Sequence, residues 1–132
     1  FGVAVVPGNG RARHSFVAAS DVAEALAAAA LEPDERGEIQ LAGPEALTWL
    51  DVARVYARVL GRRIRVVHQP VTPLRLASLA LRRISPAASH LFAAQHLIAT
   101  VDSVYPPDDT RRLLGREPTS VEEFLRARLA II

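Results

Sequence analysis

Apolar and polar positions follow a short, strand-like period at three places in the chain. Phe1 to Val6 is a β-type run stopped by Pro7-Gly8-Asn9-Gly10, a combination that fixes a turn. Glu38 to Ala42 (EIQLA) and Arg63 to His68 (RIRVVH) are the other two, closed by Gly43-Pro44 and by Pro70. Elsewhere the apolar positions recur at three and four, which predicts helices from Asp21 to about Leu31, Thr48 to Leu60, Pro73 to Arg83 and Ser85-Pro86 to about Val101. Shorter helices are predicted over Asp109 to Leu114 and from Thr119 or Ser120 onward.

The punctuation supports these assignments. Asp21 with Glu24 fits a D-x-x-E capping box, so Asp21 is expected as a structural cap, and Pro33 with Asp34-Glu35-Arg36-Gly37 releases that helix. Thr48 with Asp51 fits the same box, and Gly61 and Gly115 are expected C-caps. Ser85 caps with Pro86 in the first turn, and Glu122 or Glu123 closes a box on the last helix. The expected class is α/β, with three short strands and about five helices. Three isolated strands make a poor sheet. The helix after Asp21 is almost wholly apolar, so both of its faces ask for cover.

Composition narrows the chemistry. All 16 basic residues are arginine and cysteine is absent. Lysine bases, Schiff bases, P-loops, thiolate nucleophiles and cysteine-ligated metals are therefore excluded. The net charge is +2 over 132 residues. Over the whole chain the arginines are interspersed with acids, which reads as a solvated surface and gives no reason to expect nucleic acid or membrane as partner. The start, FGVAVVPGNG, lacks the basic segment of a signal peptide and looks like a chain joined in mid-strand. The expected location is the cytoplasm.

Candidate reactive groups are few. Arg11, Arg13, His14 and Ser15 follow the tight turn, where guanidinium and imidazole could meet a phosphate or carboxylate. Arg13, His14 and Phe16 are the expected substrate-contacting residues. His90 and His96 are six apart and off a common helix face, so no metal site is expected. His68 ends a strand and is read as a surface residue, and Trp49 as a core anchor at a helix start. No serine sits in a nucleophile elbow.

Three segments, in order, carry a resemblance: PGNGRARHSFVAASDVAEAL, GEIQLAGPEALTWLDVARVYARVLGRRIRVV and DDTRRLLGREPTSVEEFL. Together they resemble the C-terminal, substrate-side portion of extended and atypical short-chain dehydrogenases, especially the NmrA-like kind. The resemblance implies a single unit over 1–132 belonging to an NAD(P)-dependent oxidoreductase, shaping the pocket for a small carbonyl or quinone. It also implies that NAD or NADP is held by an N-terminal Rossmann half outside this chain. Gly8-x-Gly10 runs into arginines, not an apolar helix, so the dinucleotide loop is absent here and no residue of the chain is expected to bind the cofactor. The family's reactive tyrosine–lysine pair is also absent: Tyr56 and Tyr105 are followed four residues on by Leu60 and Asp109. The chain alone is therefore expected to be inactive and, without its other half, to self-associate. Two alternatives stand beside this reading, a non-catalytic NAD(P)-sensing regulator and a nucleotide-sugar epimerase or dehydratase relative. The latter is weakened by His14, which stands where those relatives carry a diphosphate-binding arginine.

Overall fold

In the computed structural model, which describes residues 2–32 and 37–130, two six-residue strands run side by side in the same direction. Strand β1 (Gly2–Pro7) pairs parallel with the strand at Ile64–Gln69, in a register from Gly2↔Ile64 to Pro7↔Gln69. Between them lie β2 (Arg13–His14), α1 (Ala19–Leu31), β3 (Leu47–Thr48) and α2 (Trp49–Leu60), so the strand at Ile64–Gln69 is β4. After it come α3 (Thr72–Leu81), α4 (Pro86–Thr100), α5 (Asp108–Leu114) and α6 (Val121–Leu129). The chain divides into two compact units, Phe1–Arg13 with Thr48–Ser103, and His14–Leu47 with Val104–Ile132.

In the first unit α2 packs along β1 and β4, α4 touches β1, and α3 packs on α4. Alternation along the strands turns Gly2, Ala4 and Val6 inward in register with Ile64, Val66 and His68. The other sheet face carries Val3, Val5 and Val67, all exposed. Each strand has one partner, so each keeps an open edge among the described residues. Helix α2 begins where its sequence predicts: the Thr48 hydroxyl accepts from Asp51 N–H while the Asp51 carboxylate accepts from Thr48 N–H, both at 3.1 Å. It ends at Gly61, whose φ of +59° is a left-handed cap.

In the second unit α1 packs on α5. Two expectations from sequence are corrected here. First, Asp21 does not cap α1. The helix opens two residues earlier, behind Ala18, which offers no side-chain bond. The Asp21 carboxylate is instead almost fully buried and accepts from Thr119 N–H, from the Thr119 hydroxyl (3.0 Å) and from Arg116 Nη2 (3.0 Å). Arg116 also bonds Glu24 at 2.7 Å. Asp21 thus ties α1 to the segment that opens α6, because a buried carboxylate takes whichever donors close around it. Second, Glu38 to Ala42 is not a strand. Its amides turn to side chains of α5, Gln40 N–H to Asp109 and Ala42 N–H to the Thr110 hydroxyl at 2.8 Å, which leaves no ladder to build. Gly43 follows against the Phe16 carbonyl, where a side chain would overlap it. The expected release of α1 at Pro33 to Arg36 lies outside the described residues. Among the described residues, six helices and four short strands replace the three strands and about five helices expected.

Burial raises the Asp21 carboxyl, but hydrogen bonds from Thr119 N–H, Arg116 and the Thr119 hydroxyl, with the charge of Arg116, outweigh it and hold the group below its ordinary 3.8. A depressed carboxyl contributes stability above its unfolded value and loses that contribution as pH falls through the folded one. Asp21→Ala should cost roughly 1.5–3 kcal/mol at neutral pH, the scale of hydrogen bonds to a charged group, measured by denaturant unfolding. The stability gap between wild type and Asp21→Asn should hold above about pH 5 and narrow as pH falls from about 4 toward about 2. A gap constant across that range would contradict the assignment.

Candidate functional site

Ligands of parallel sheets gather beyond the carboxyl ends of the strands, where the chain turns away and leaves a crevice. In the first unit β1 and β4 end together, at Pro7 and Gln69, and a cleft of about 630 Å³ opens there. Its walls come from the turn after β1 (Gly8, Asn9, Arg11, Ala12) and the end of β4 (His68, Gln69, Pro70). Val71 and Thr72 at the head of α3, and Ala99, Thr100 and Asp102 at the end of α4, complete it.

The cleft is held by main-chain bonds. Gly8 N–H donates to Gln69 O at 2.9 Å, and His68 Nδ1 lies 3.0 Å from Gly8 O. Gly8 has φ +61°, and a Cβ there would meet Val71 Cγ1 at 3.2 Å and Ala99 O at 3.3 Å, so the floor of the cleft needs glycine. Asn9 Oδ1 accepts from Arg11 N–H at 3.0 Å and closes the turn. Asp102 Oδ1 accepts from Arg13 N–H at 2.9 Å, and Ser103 N–H donates to Arg13 O at 2.8 Å. These bonds pin the stretch leaving the turn to the end of α4.

The Gly8 contact fixes the chemistry of His68. A carbonyl only accepts, so Nδ1 carries the hydrogen and the neutral ring keeps Nε2 as an acceptor. His68 is exposed at the cleft, so this nitrogen is its polar group for a ligand. Arg11, Gln69 and Asp102, with Asn9, Thr72 and Thr100, supply the remaining polarity, a mixed set suited to hydroxyl or carbonyl oxygens.

The residues singled out from sequence fare differently. Arg13 is exposed, its backbone tied to Asp102 and Ser103 in the first unit. His14 is buried and meets the Phe16 ring edge-on, 5.8 Å between centroids, in the second unit. Ser15 accepts from Tyr105 N–H and donates to Tyr105 O, a fastening of the backbone. None of Arg13, His14 and Phe16 lines the cleft; of their neighbours, Arg11 does. Sequence reasoning missed Asn9, His68, Gln69 and Asp102. The available signal was that Gly8 and Pro70 stop two apolar runs at matching points, as parallel neighbours require. Among the described residues no cluster of three or more His, Asp or Glu could hold a metal ion.

No family model matches the chain. Over 96% of its length it is 27% identical to the "uncharacterized oxidoreductase YesF" of Bacillus subtilis, and over 83% it is 33% identical to agroclavine dehydrogenase of Claviceps fusiformis. Among solved structures, an NADPH-dependent quinone oxidoreductase of Escherichia coli superposes with a TM-score of 0.69 over 97% of the chain, at 20% identity. The chain has the fold of one portion of an NmrA-like short-chain dehydrogenase/reductase. It spans 44% and 38% of the two curated relatives and 46% of the quinone oxidoreductase, less than half of each. That enzyme has also been solved with NADPH.

The residues present do not fit the dinucleotide that NmrA-like proteins hold on a glycine-rich strand-to-helix turn. Gly8-Asn9-Gly10 leads into the extended Arg11 to His14, so no helix N-terminus follows to face a pyrophosphate. Gly8→Ala should destabilise the protein by more than about 1 kcal/mol, since alanine is strained at positive φ. Calorimetric or denaturant unfolding checks this, and an unchanged midpoint would mean the floor is loosely built.

Proposed function

We propose that this chain is the C-terminal, substrate-side portion of an NAD(P)-dependent oxidoreductase of the NmrA-like kind. Its cleft helps to shape the pocket for a small carbonyl or quinone. The observation that carries this reading is the crevice at the carboxyl ends of β1 and β4, in a chain built like part of an NADPH-dependent quinone oxidoreductase. Arg11, His68 and Gln69 are the groups offered to a ligand oxygen. His68 accepts from a hydroxyl when neutral and donates when protonated, while Arg11 favours an oxygen that carries negative charge. The cofactor is assigned to polypeptide outside this chain, and by itself the chain binds no dinucleotide and turns nothing over.

The test uses both lengths of protein. The full-length protein should bind NADPH and oxidise it when a simple quinone such as menadione is added, while the 132-residue chain should leave NADPH and NADH fluorescence unchanged. Saturable binding by the chain alone at about micromolar concentration would overturn the division of labour. Full-length protein that binds NADPH but oxidises it with no carbonyl or quinone would instead identify a cofactor-sensing regulator.

A further inference from the structure

The charge of this chain is divided between its two units. The unit Phe1–Arg13 with Thr48–Ser103 holds ten arginines and two aspartates, whereas the other holds six arginines and twelve acids. Between Asp51 and Asp102 there is no acid at all, and eight arginines. The small net charge therefore conceals a strongly basic unit, and the even mixing of signs suggested by whole-chain composition does not hold.

Within the acid-free stretch, α3 and α4 form a helical hairpin. Its inner faces are fixed by Ser89 Oγ donating to Ser78 O at 2.8 Å, both serines buried. Its tip, Arg82 to Ser85, is a tight turn: Ile84 N–H and Ser85 N–H both donate to Leu81 O, at 3.0 and 2.8 Å. Helical spacing places Leu76 and Leu79 on the sector of α3 away from Ser78, with Arg75 nearer the Ser78 side and Arg82 and Arg83 in the turn beyond the helix end. All five are exposed, and at the tip Ile84 shows 81% of its surface.

We infer that the tip and outer face of the α3–α4 hairpin dock on an anionic phospholipid bilayer. Exposed leucine and isoleucine beside arginine, with no acid nearby, match a surface whose phosphates are negative and whose next layer is acyl chain. Each guanidinium forks onto phosphate oxygens, and Ile84, Leu76 and Leu79 enter the headgroup boundary. Nucleic acid would use the arginines and leave the apolar ridge in water. It would also look for exposed aromatic rings to stack on, and the hairpin's one aromatic residue, Phe92, is half-buried. Among the described residues no helix is long and apolar enough to cross a membrane, so the hairpin lies on the bilayer.

Co-sedimentation of the full-length protein with vesicles tests this. It should pellet with phosphatidylcholine vesicles containing phosphatidylglycerol, stay in solution with phosphatidylcholine alone, and release as salt rises. Arg82→Gln and Arg83→Gln should each weaken binding about fivefold. Ile84→Ser should weaken it severalfold with the salt dependence kept. Thermal unfolding verifies that the variants fold, and the wild-type comparison of the two vesicle types stands without them. The inference falls if anionic vesicles fail to pellet the protein, or if both vesicle types bind it equally. It also falls if a DNA duplex binds as tightly with the same arginine dependence, or if these substitutions dissolve a dimer and leave lipid binding untouched.

Discussion

The parallel pairing of β1 with β4 is the constraint on which the first unit depends. Two parallel neighbours cannot be joined by a hairpin; the chain must travel back to the starting edge before the second strand begins. Here the return contains α2, and before it the whole segment His14–Leu47, which belongs to the other unit. Because both strands run the same way, their carboxyl ends come out together, and the turn at Gly8 is clamped by Gln69 and His68. The cleft follows from that alignment, and its polar groups arrive from three separated stretches of sequence.

How much of this was legible depends on the range of the interaction. The capping boxes at Thr48–Asp51 and Ser120–Glu123, and the left-handed glycines 61 and 115, were readable because each is settled within a few residues. Asp21 carries the same local signature and was misread. Its donors, Thr119 and Arg116, lie far along the chain, and a side chain buried at 1% exposure answers to tertiary neighbours before its own helix. EIQLA likewise has strand-like alternation, yet Asp109 and Thr110 take the amides a neighbouring strand would have used. For the cleft the sequence offered only the matching stops at Gly8 and Pro70, and the bond that joins His68 to Gly8 spans 60 positions. The acid-free stretch was present in the sequence throughout. It disappeared in whole-chain averaging and became meaningful only once the units were separated.

The two units are held by different physics. The first rests on a backbone ladder with helices laid against it, and its buried apolar residues are mostly small: Ala12, Ala53 and Ala99 beside Val6. The second leans on polar side chains at buried positions, with Asp21 and Thr110 both essentially inaccessible and satisfied. Alanine buries little apolar area, so hydrophobic stabilisation per residue is modest in both. Several larger apolar side chains stand outside this core: Val3 and Val5 on the bare face of β1 at 67% and 64% exposure, and Leu31 at the end of α1 at 84%. Parallel strands are ordinarily covered on both faces, because their connections lay helices there. Among the described residues, a two-stranded parallel sheet with one bare apolar face and open edges is a surface suited to cover by more polypeptide. The same reasoning separates two kinds of exposed apolar surface. The face of β1 and β4 lies flat beside unpaired backbone donors and acceptors, so it suits another strand or helix of protein. The hairpin tip instead presents Ile84 beside Arg82 and Arg83 in a stretch with no acid from 52 to 101, so it suits a partner that offers negative charge and apolar depth.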